Sequence, residues 1–152
     1  MWYKRDHRTV IHYPGSMEVE EYVYTPGIHG KILAEALKEG KIVAMKCPDG
    51  VYFPPRTYCK DGTQASIVEL GDRPWIIHSY TIVYEDLEGK KLEKPLALAL
   101  VAPEGVKGGI IHKVEESPEK LQIGMRVKPV MKPPSQRKGT IDDIVYFKAA
   151  DE

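Results

Sequence analysis

The sequence predicts a mainly β protein with one short helical segment near its N-terminus. Apolar residues occur in short runs bounded by turn residues, and the 152-residue chain holds thirteen glycines and twelve prolines. Only one stretch shows sustained helical spacing. Hydrophobic residues make up 42% and charged residues 29%, which is typical of a globular protein rather than a disordered one.

The helix is predicted over residues 26–39. Thr25 can cap it, Pro26 suits its first position, and Gly40 can end it in a left-handed conformation. One face carries the apolar residues at helical spacing: Ile28, Ile32, Leu33, Ala36 and Leu37. This face either packs on the chain's own domain or docks a partner.

Changes of pattern predict three regions. Residues 1–40 form an N-terminal arm and the helix, and the aromatic arm from Trp2 to Tyr24 lies on the domain or on a partner. Residues 41–70 form a small domain with three short strands at 41–46, 51–53 and 66–70. Residues 71–152 form a second β domain.

Five longer strands are predicted in the second domain: 74–85, 95–102, 106–113, 124–131 and 142–148. A polar hairpin loop, Asp86–Lys94, joins the first two. The segment Ser117-Pro-Glu-Lys-Leu predicts a single helical turn with proline at its first position. Five strands with a short helix between the third and fourth predict an OB-fold barrel.

Two cysteine turns, Cys47-Pro-Asp-Gly and Cys59-Lys-Asp-Gly, occupy the smaller domain. A rubredoxin-like zinc ribbon has two such turns, each with a C-x2-C pair, because tetrahedral zinc needs four ligands. Each turn here keeps only its first cysteine. Three alternatives follow: a degenerate ribbon without metal, a Cys47–Cys59 disulfide, or a zinc site completed by Asp49 and Asp61.

Several function classes are disfavoured. Twenty-two basic and twenty-two acidic residues give zero formal charge, so there is no bulk attraction to nucleic acid or anionic lipid. There is no phosphate-loop or dinucleotide motif, and no histidine pair has the spacing of a helical metal site. We therefore expect a protein without a catalytic constellation of its own.

The compartment is predicted to be the cytoplasm. The chain start lacks the apolar core of a signal peptide, no apolar stretch is long enough to cross a bilayer, and two cysteines make no secreted disulfide framework. The chain contains no asparagine beside its high charge content, which is a thermophile tendency.

The arrangement as a whole resembles a known family. A helix leads into a cysteine turn, Tyr52-Phe-Pro-Pro-Arg56, a second cysteine turn and a five-stranded barrel carrying Ser79-Tyr-Thr-Ile-Val83, Gly108-Gly-Ile-Ile and Ile123-Gly-Met-Arg-Val127. This resembles the zinc-ribbon/OB-fold family of acyl-CoA-associated proteins, formerly domain-of-unknown-function family thirty-five. This sequence departs from the family pattern because each turn lacks its second cysteine. The loss bears on zinc binding more than on the fold.

The resemblance implies an accessory scaffold subunit of a thiolase-superfamily complex that shares a CoA thioester with its partner. Acetoacetyl-CoA thiolase with hydroxymethylglutaryl-CoA synthase, in the archaeal mevalonate pathway, is the expected partner pair. Six residues are candidates for contacts with CoA or a partner, because they are basic or permit close approach: Arg56, Gly108, Gly109, Arg126, Lys128 and Lys132.

Each of these residues also has a purely structural interpretation. Arg56 can pair with a neighbouring acid, Gly108 and Gly109 can form a turn or bulge, and the basic segment 123–141 can be a solvated rim. An alternative function is single-stranded nucleic-acid binding, because OB-folds and zinc ribbons both serve it. Its candidate stacking residues are Tyr80, Tyr84 and Tyr146.

Overall fold

A computed structural model describes residues 14–16 and 18–150. Its one α-helix in these residues, α1, spans Gly27–Lys38. Pro26 occupies the N-cap position and no side chain caps the helix, so the predicted cap at Thr25 is wrong because the helix begins one residue later. Gly40 has a φ of 78° and donates its N–H to the carbonyl of Leu37, so it ends the helix as predicted.

The buried stripe of α1 runs through His29, Leu33 and Leu37, with Ile32 and Ala36 partly buried beside it. The four apolar residues of this set pack on the main core, so this face serves the chain's own domain. Ile28 belongs to the predicted face but is 62% exposed, because the described residues leave the first turn uncovered on that side.

A four-stranded sheet follows the helix. Its first three strands are β1 (Val43–Cys47), β2 (Gly50–Phe53) and β3 (Ser66–Glu69). A two-residue strand from later in the chain, β6 (Lys107–Gly108), pairs in parallel with β2 and gives the order β3-β1-β2-β6. We call this sheet and its two cysteine turns the ribbon.

The remaining five strands close into a barrel in the order β4-β5-β7-β9-β8. Their bounds are β4 Trp75–Glu85, β5 Lys91–Pro103, β7 Ile110–Val114, β8 Arg126–Met131 and β9 Ile144–Ala149. A 3₁₀ turn at Pro118–Lys120 separates β7 from β8, where the sequence predicts a helical turn. The predicted mainly β fold, with a ribbon followed by a five-stranded OB-fold barrel, is confirmed.

Two strand predictions need correction. The hairpin between β4 and β5 turns tightly at Asp86–Lys90, so the segment 91–94 belongs to β5 rather than to a loop. The predicted strand 106–113 is divided into β6 and β7, because Gly109 bonds to the ribbon at the point where the chain passes from one sheet to the other.

One hydrophobic core unites α1, the ribbon and the barrel. Phe53 of the ribbon packs edge-on against Trp75 of the barrel, with ring centroids 5.2 Å apart, and Trp75 packs in turn on Phe147 at 5.0 Å. Leu37 and Val43 belong to the same cluster. No helix in the described residues is long and apolar enough to span a membrane.

Candidate functional site

An open cleft of about 1290 Å³ lies between the ribbon and the barrel. Lys41 and Glu69 lie on its ribbon side, and Arg73 lies in the connection between the two sheets. Arg126 and Lys128 of β8 lie on its barrel side. The cleft therefore brings together two of the six candidate residues, Arg126 and Lys128, where the ribbon meets the barrel.

Two of the four basic groups that line the cleft have acidic partners. Arg126 Nη2 lies 3.1 Å from Glu104 Oε1, and Lys41 Nζ lies 3.6 Å from Glu69 Oε1. Lys128 differs, because no carboxylate of the described residues lies within ion-pair distance of it. Its positive charge is left for solvent or for an anionic ligand.

Lys148 of β9 stands directly opposite Lys128 in the antiparallel β8–β9 pair. Both residues are exposed, but only Lys128 is among the residues that line the cleft. Like charges at opposed positions destabilise a sheet by a few tenths of a kcal/mol, so a bound anion would relieve this arrangement. Lys148 is absent from the sequence candidates because the pairing depends on a register that local pattern does not reveal.

Lys132 lies just beyond β8 and has a different environment. Its backbone N–H donates to the Asp143 carbonyl at 2.7 Å, and its charge favours ionisation of the Asp143 carboxyl. Its carbonyl accepts the Arg137 Nε–H at 2.7 Å. Lys132 therefore belongs to the loop between β8 and β9, outside the cleft lining.

Asp143 anchors that loop from a fully buried position. Its carboxylate accepts backbone N–H groups from Lys138, Gly139 and Thr140 at 2.9, 2.7 and 3.3 Å. Burial opposes the charge, but these donors and the Lys132 ammonium outweigh it and hold the pKa of Asp143 below its usual value. Asp143 is thus a structural group.

Arg56 lies on the exposed ribbon loop between the two cysteine turns. Its backbone is fixed by two bonds: the N–H donates to Met45 Sδ at 3.1 Å, and the carbonyl accepts the buried His29 Nδ1–H at 2.7 Å. No carboxylate of the described residues pairs with the guanidinium. The arginine is presented to solvent, away from the cleft lining.

Gly108 and Gly109 lie where the ribbon meets the barrel. A Cβ on Gly108 would lie 2.2 Å from the Phe53 carbonyl oxygen, and one on Gly109 would lie 2.6 Å from the Val101 carbonyl oxygen. Close backbone approach does occur here, as the two adjacent glycines predict. The approaching backbone is the chain's own, which explains both glycines without a ligand.

Cys47 and Cys59 form a disulfide. Asp49 accepts a hydrogen bond from the Tyr52 hydroxyl, and Asp61 accepts from the Thr63 backbone N–H and hydroxyl at 3.0 and 2.6 Å. These bonds lower the pKa of both aspartates. In the described residues no three His, Cys, Asp or Glu side chains are grouped to hold a metal, so the four proposed ligands do not fit zinc.

The segment 18–28, which ends with the first two residues of α1, is exposed. Val23 and Tyr24 are 95% and 82% exposed, and Val19, Tyr22 and Ile28 are also largely exposed. Soluble proteins rarely leave so many large apolar side chains uncovered in one place unless a partner covers them. Residues 1–13 and 17 of the predicted arm lie outside the described residues.

The three tyrosines proposed to stack nucleobases do not form one surface with Lys128 and Lys148. Tyr146 lies on β9 opposite Val130, near Lys148. Tyr80 and Tyr84 lie further along β4, which pairs with β8 only through Trp75 and Ile76. The Tyr80 hydroxyl donates to the Leu121 carbonyl at 3.1 Å.

The fold and the two cysteine turns define a class, a zinc-ribbon module fused to an OB-fold barrel. The chain belongs to the DUF35 family of zinc-ribbon/OB-fold proteins. Residues 34–61 match the family model described as "ChsH2, rubredoxin-like zinc ribbon domain". Residues 76–132 match "ChsH2, C-terminal OB-fold domain".

Two solved structures share the fold. A DUF35 family protein of unknown function from Sulfolobus solfataricus aligns with a TM-score of 0.65 and 26% identity, over 82% of this chain and 87% of that one. A structure described as an Ltp2-ChsH2(DUF35) aldolase aligns with a TM-score of 0.57 and 21% identity. The alignment covers 80% of this chain and 94% of that one. No curated protein matches the sequence.

Proposed function

We propose that this chain is a companion subunit of a thiolase-type enzyme and helps to hold its acyl-CoA substrate. The observation that carries the proposal is the match of both modules to ChsH2 domains. A structurally similar chain, ChsH2, is described together with Ltp2 in an aldolase. Since the chain also resembles acyl-CoA-associated proteins, the partner proposed for it is an enzyme that acts on acyl-CoA.

The finer assignment is to acetoacetyl-CoA thiolase with hydroxymethylglutaryl-CoA synthase, in the mevalonate pathway. In that role the subunit bridges the two enzymes and lets the acyl-CoA intermediate pass between them. Support comes from the absence of asparagine, a thermophile tendency, and from the similar protein of Sulfolobus solfataricus.

The cleft is the proposed site for the phosphate end of CoA. Its volume is ample for a ligand of that size, since drug-sized ligands occupy pockets of roughly 300–1,000 Å³. Lys128 and the opposed Lys148 supply positive charge that no carboxylate of the described residues neutralises. Arg126 is released for phosphate if it leaves Glu104, to which it is joined by an exposed and therefore weak ion pair.

The acyl-transfer chemistry is assigned to the partner. Thiolate is the nucleophilic form of cysteine, and both cysteines of this chain are engaged in a disulfide. The exposed segment 18–28 is the proposed docking element, because an enzyme surface would cover its apolar side chains. Its acidic residues Glu18, Glu20 and Glu21 favour a basic rim on that surface.

The test is a tagged pull-down from native lysate of the source organism at moderate salt, with partners identified by mass spectrometry. We expect a thiolase or hydroxymethylglutaryl-CoA synthase at near-stoichiometric yield, retained as salt rises. Nuclease-sensitive RNA or DNA without a thiolase relative, lost steeply as salt rises, would reject the proposal in favour of nucleic-acid binding.

A second pull-down locates the docking element. The triple variant Tyr22→Ser, Val23→Ser and Tyr24→Ser should lose the enzyme partner and keep its melting temperature. The control is Leu87→Ser, which removes a fully exposed apolar side chain at the tip of the β4–β5 hairpin. Loss of the partner in the control alone would indicate that the hairpin, and not the segment 18–28, is the docking surface.

A further inference from the structure

The zinc-ribbon module of this chain lacks the ligands of a structural zinc ion. Such a site needs four ligands, normally two from each turn. The chain has only two cysteines, and the position that completes each C-x2-C pair holds a glycine, Gly50 in the first turn and Gly62 in the second. Glycine offers no side chain to a metal.

Neighbouring oxygens do not replace the missing sulfurs. The Asp49 carboxylate is bonded to the Tyr52 hydroxyl, and the Asp61 carboxylate is bonded to Thr63 in its own turn. Neither aspartate forms a group of three or more metal-binding side chains within the described residues. The donor set is therefore incomplete even when the cysteines are counted as thiolates.

The disulfide makes the link that zinc makes in a ribbon. It joins Cys47, the last residue of β1, to Cys59 in the second turn, twelve residues later, with the Cα atoms 5.8 Å apart. Both cysteines are buried in a small cluster with Met45, Tyr52 and Ala65, distinct from the main core. The two turns are thus held together at one point.

Few other contacts hold the loop 54–65. Apart from the disulfide, the backbone of Arg56 ties it to Met45 of β1 and to His29 of α1. Its internal bonds are the isolated Tyr58–Gln64 bridge and the backbone bonds from Cys59 to Thr63, from Gly62 to Cys59 and from Ala65 to Thr57. The barrel, in contrast, is closed by five strands and built on the main core. Release of the disulfide would therefore loosen this loop first.

We propose that the Cys47–Cys59 disulfide has replaced zinc as the cross-link of the ribbon, so that the fold depends on sulfur oxidation and not on metal. Reduction by a dithiol breaks the S–S bond, and each cysteine sulfur gains one hydrogen while the dithiol closes to its own disulfide. Intracellular disulfides of this kind are typical of hyperthermophiles.

Thermal melts of the purified full chain test the proposal. We expect no bound zinc by elemental analysis, no free thiols in denaturant, and an unchanged Tm in a chelator. A dithiol should lower Tm by roughly 6–12 °C, the effect of freeing a loop of this length in a domain of this size. One zinc per chain with two titratable thiols, and a Tm that falls in the chelator, would overturn the proposal.

The double variant Cys47→Ser, Cys59→Ser is the control for the reductant. Its Tm should be close to that of the reduced wild type and should not change when the dithiol is added. A Tm that still falls with the dithiol in this variant would count against the disulfide. If this variant does not fold, the wild-type comparison of chelator with dithiol still decides. Hydrogen exchange should rise on reduction in peptides covering 54–65 and stay low over β5, and a rise over the whole chain would reject local opening.

Discussion

Gly109 donates its backbone N–H to the carbonyl oxygen of Phe53 at 2.9 Å, and this bond joins the barrel segment to the ribbon. The preceding residue, Gly108, pairs with Phe53 in the parallel β2–β6 register. The chain thus passes from one sheet into the other over two residues. The absence of side chains at both positions is what allows the two backbones to meet.

Substitution of Gly108 by alanine should therefore be severe. The new Cβ would lie 2.2 Å from the Phe53 carbonyl oxygen, so the junction must shift, and the φ of 92° is strained for any L-residue. We expect a loss of about 3 kcal/mol or more of unfolding free energy, measured by urea denaturation. The control is Gly105→Ala, which has a φ of 74° but open space, and should lose only about 1–2 kcal/mol. Equal losses would contradict the steric explanation.

Phe53→Ala should destabilise the barrel as well as the ribbon, because its ring packs on Trp75 inside the common core. Removal of a buried phenylalanine costs about 3–5 kcal/mol. Trp75 fluorescence, followed in a Trp2→Phe background during urea unfolding, should show one transition at lower urea. The exposed Tyr58→Ala serves as the control and should stay within about 0.5 kcal/mol of wild type. An unchanged Trp75 transition in Phe53→Ala would indicate independent modules.

Asp143 should make stability fall in acid. Since its folded pKa lies below the value of about 3.9 in unfolded chains, its contribution is fully present above that value and is lost as pH falls through the folded pKa. Asp143→Asn should lose about 2 kcal/mol at pH 7, because the N–H groups no longer meet a charge, and should show a flatter dependence below pH 5. Chemical denaturation from pH 2 to 7 measures both. The exposed neighbour Asp142→Asn is the control and should retain the wild-type profile.

The proposed phosphate site predicts a local charge effect on CoA binding. In the isolated enzyme complex, Lys128→Gln and Lys148→Gln should each weaken CoA by about fivefold, corresponding to about 1 kcal/mol. Isothermal titration at low and high salt measures the affinity, and the difference from wild type should shrink as salt rises. The matched control is Lys90→Gln with Lys91→Gln, at the hairpin between β4 and β5. If the complex forms but these controls weaken CoA equally, the cleft assignment is wrong.

The sequence predicts the fold well where one face of an element is buried. The stripe in α1, the alternation in β5 at Ala97 and Ala99, and the turn at Pro118 all carry local signals. The extension of β5 over residues 91–94 carries little, because none of these residues is buried and only Leu92 is half-buried. Apolar and polar residues alternate along a strand only where one face of that strand is buried.

The candidate site is less accessible to sequence reasoning. Arg126 and Lys128 are visible as a basic run, but Lys148 joins them only through strand register. Gly108 and Gly109 indicate close approach without revealing whether a ligand or the chain's own Phe53 approaches. Likewise, the sequence of the two cysteine turns does not distinguish a metal site, a disulfide and a ribbon without either. The distance between Cys47 and Cys59 that decides among them is a property of the folded sheet.

The common core has a mechanical consequence. Leu37 of α1, Phe53 of the ribbon and Val127 beneath the cleft belong to the same packed cluster. The exposed segment 18–28 leads directly into α1, so it is attached to the same body that carries Lys128. Because α1, the ribbon and the barrel share this packed core, the point at which the segment enters α1 keeps a constant distance from Lys128.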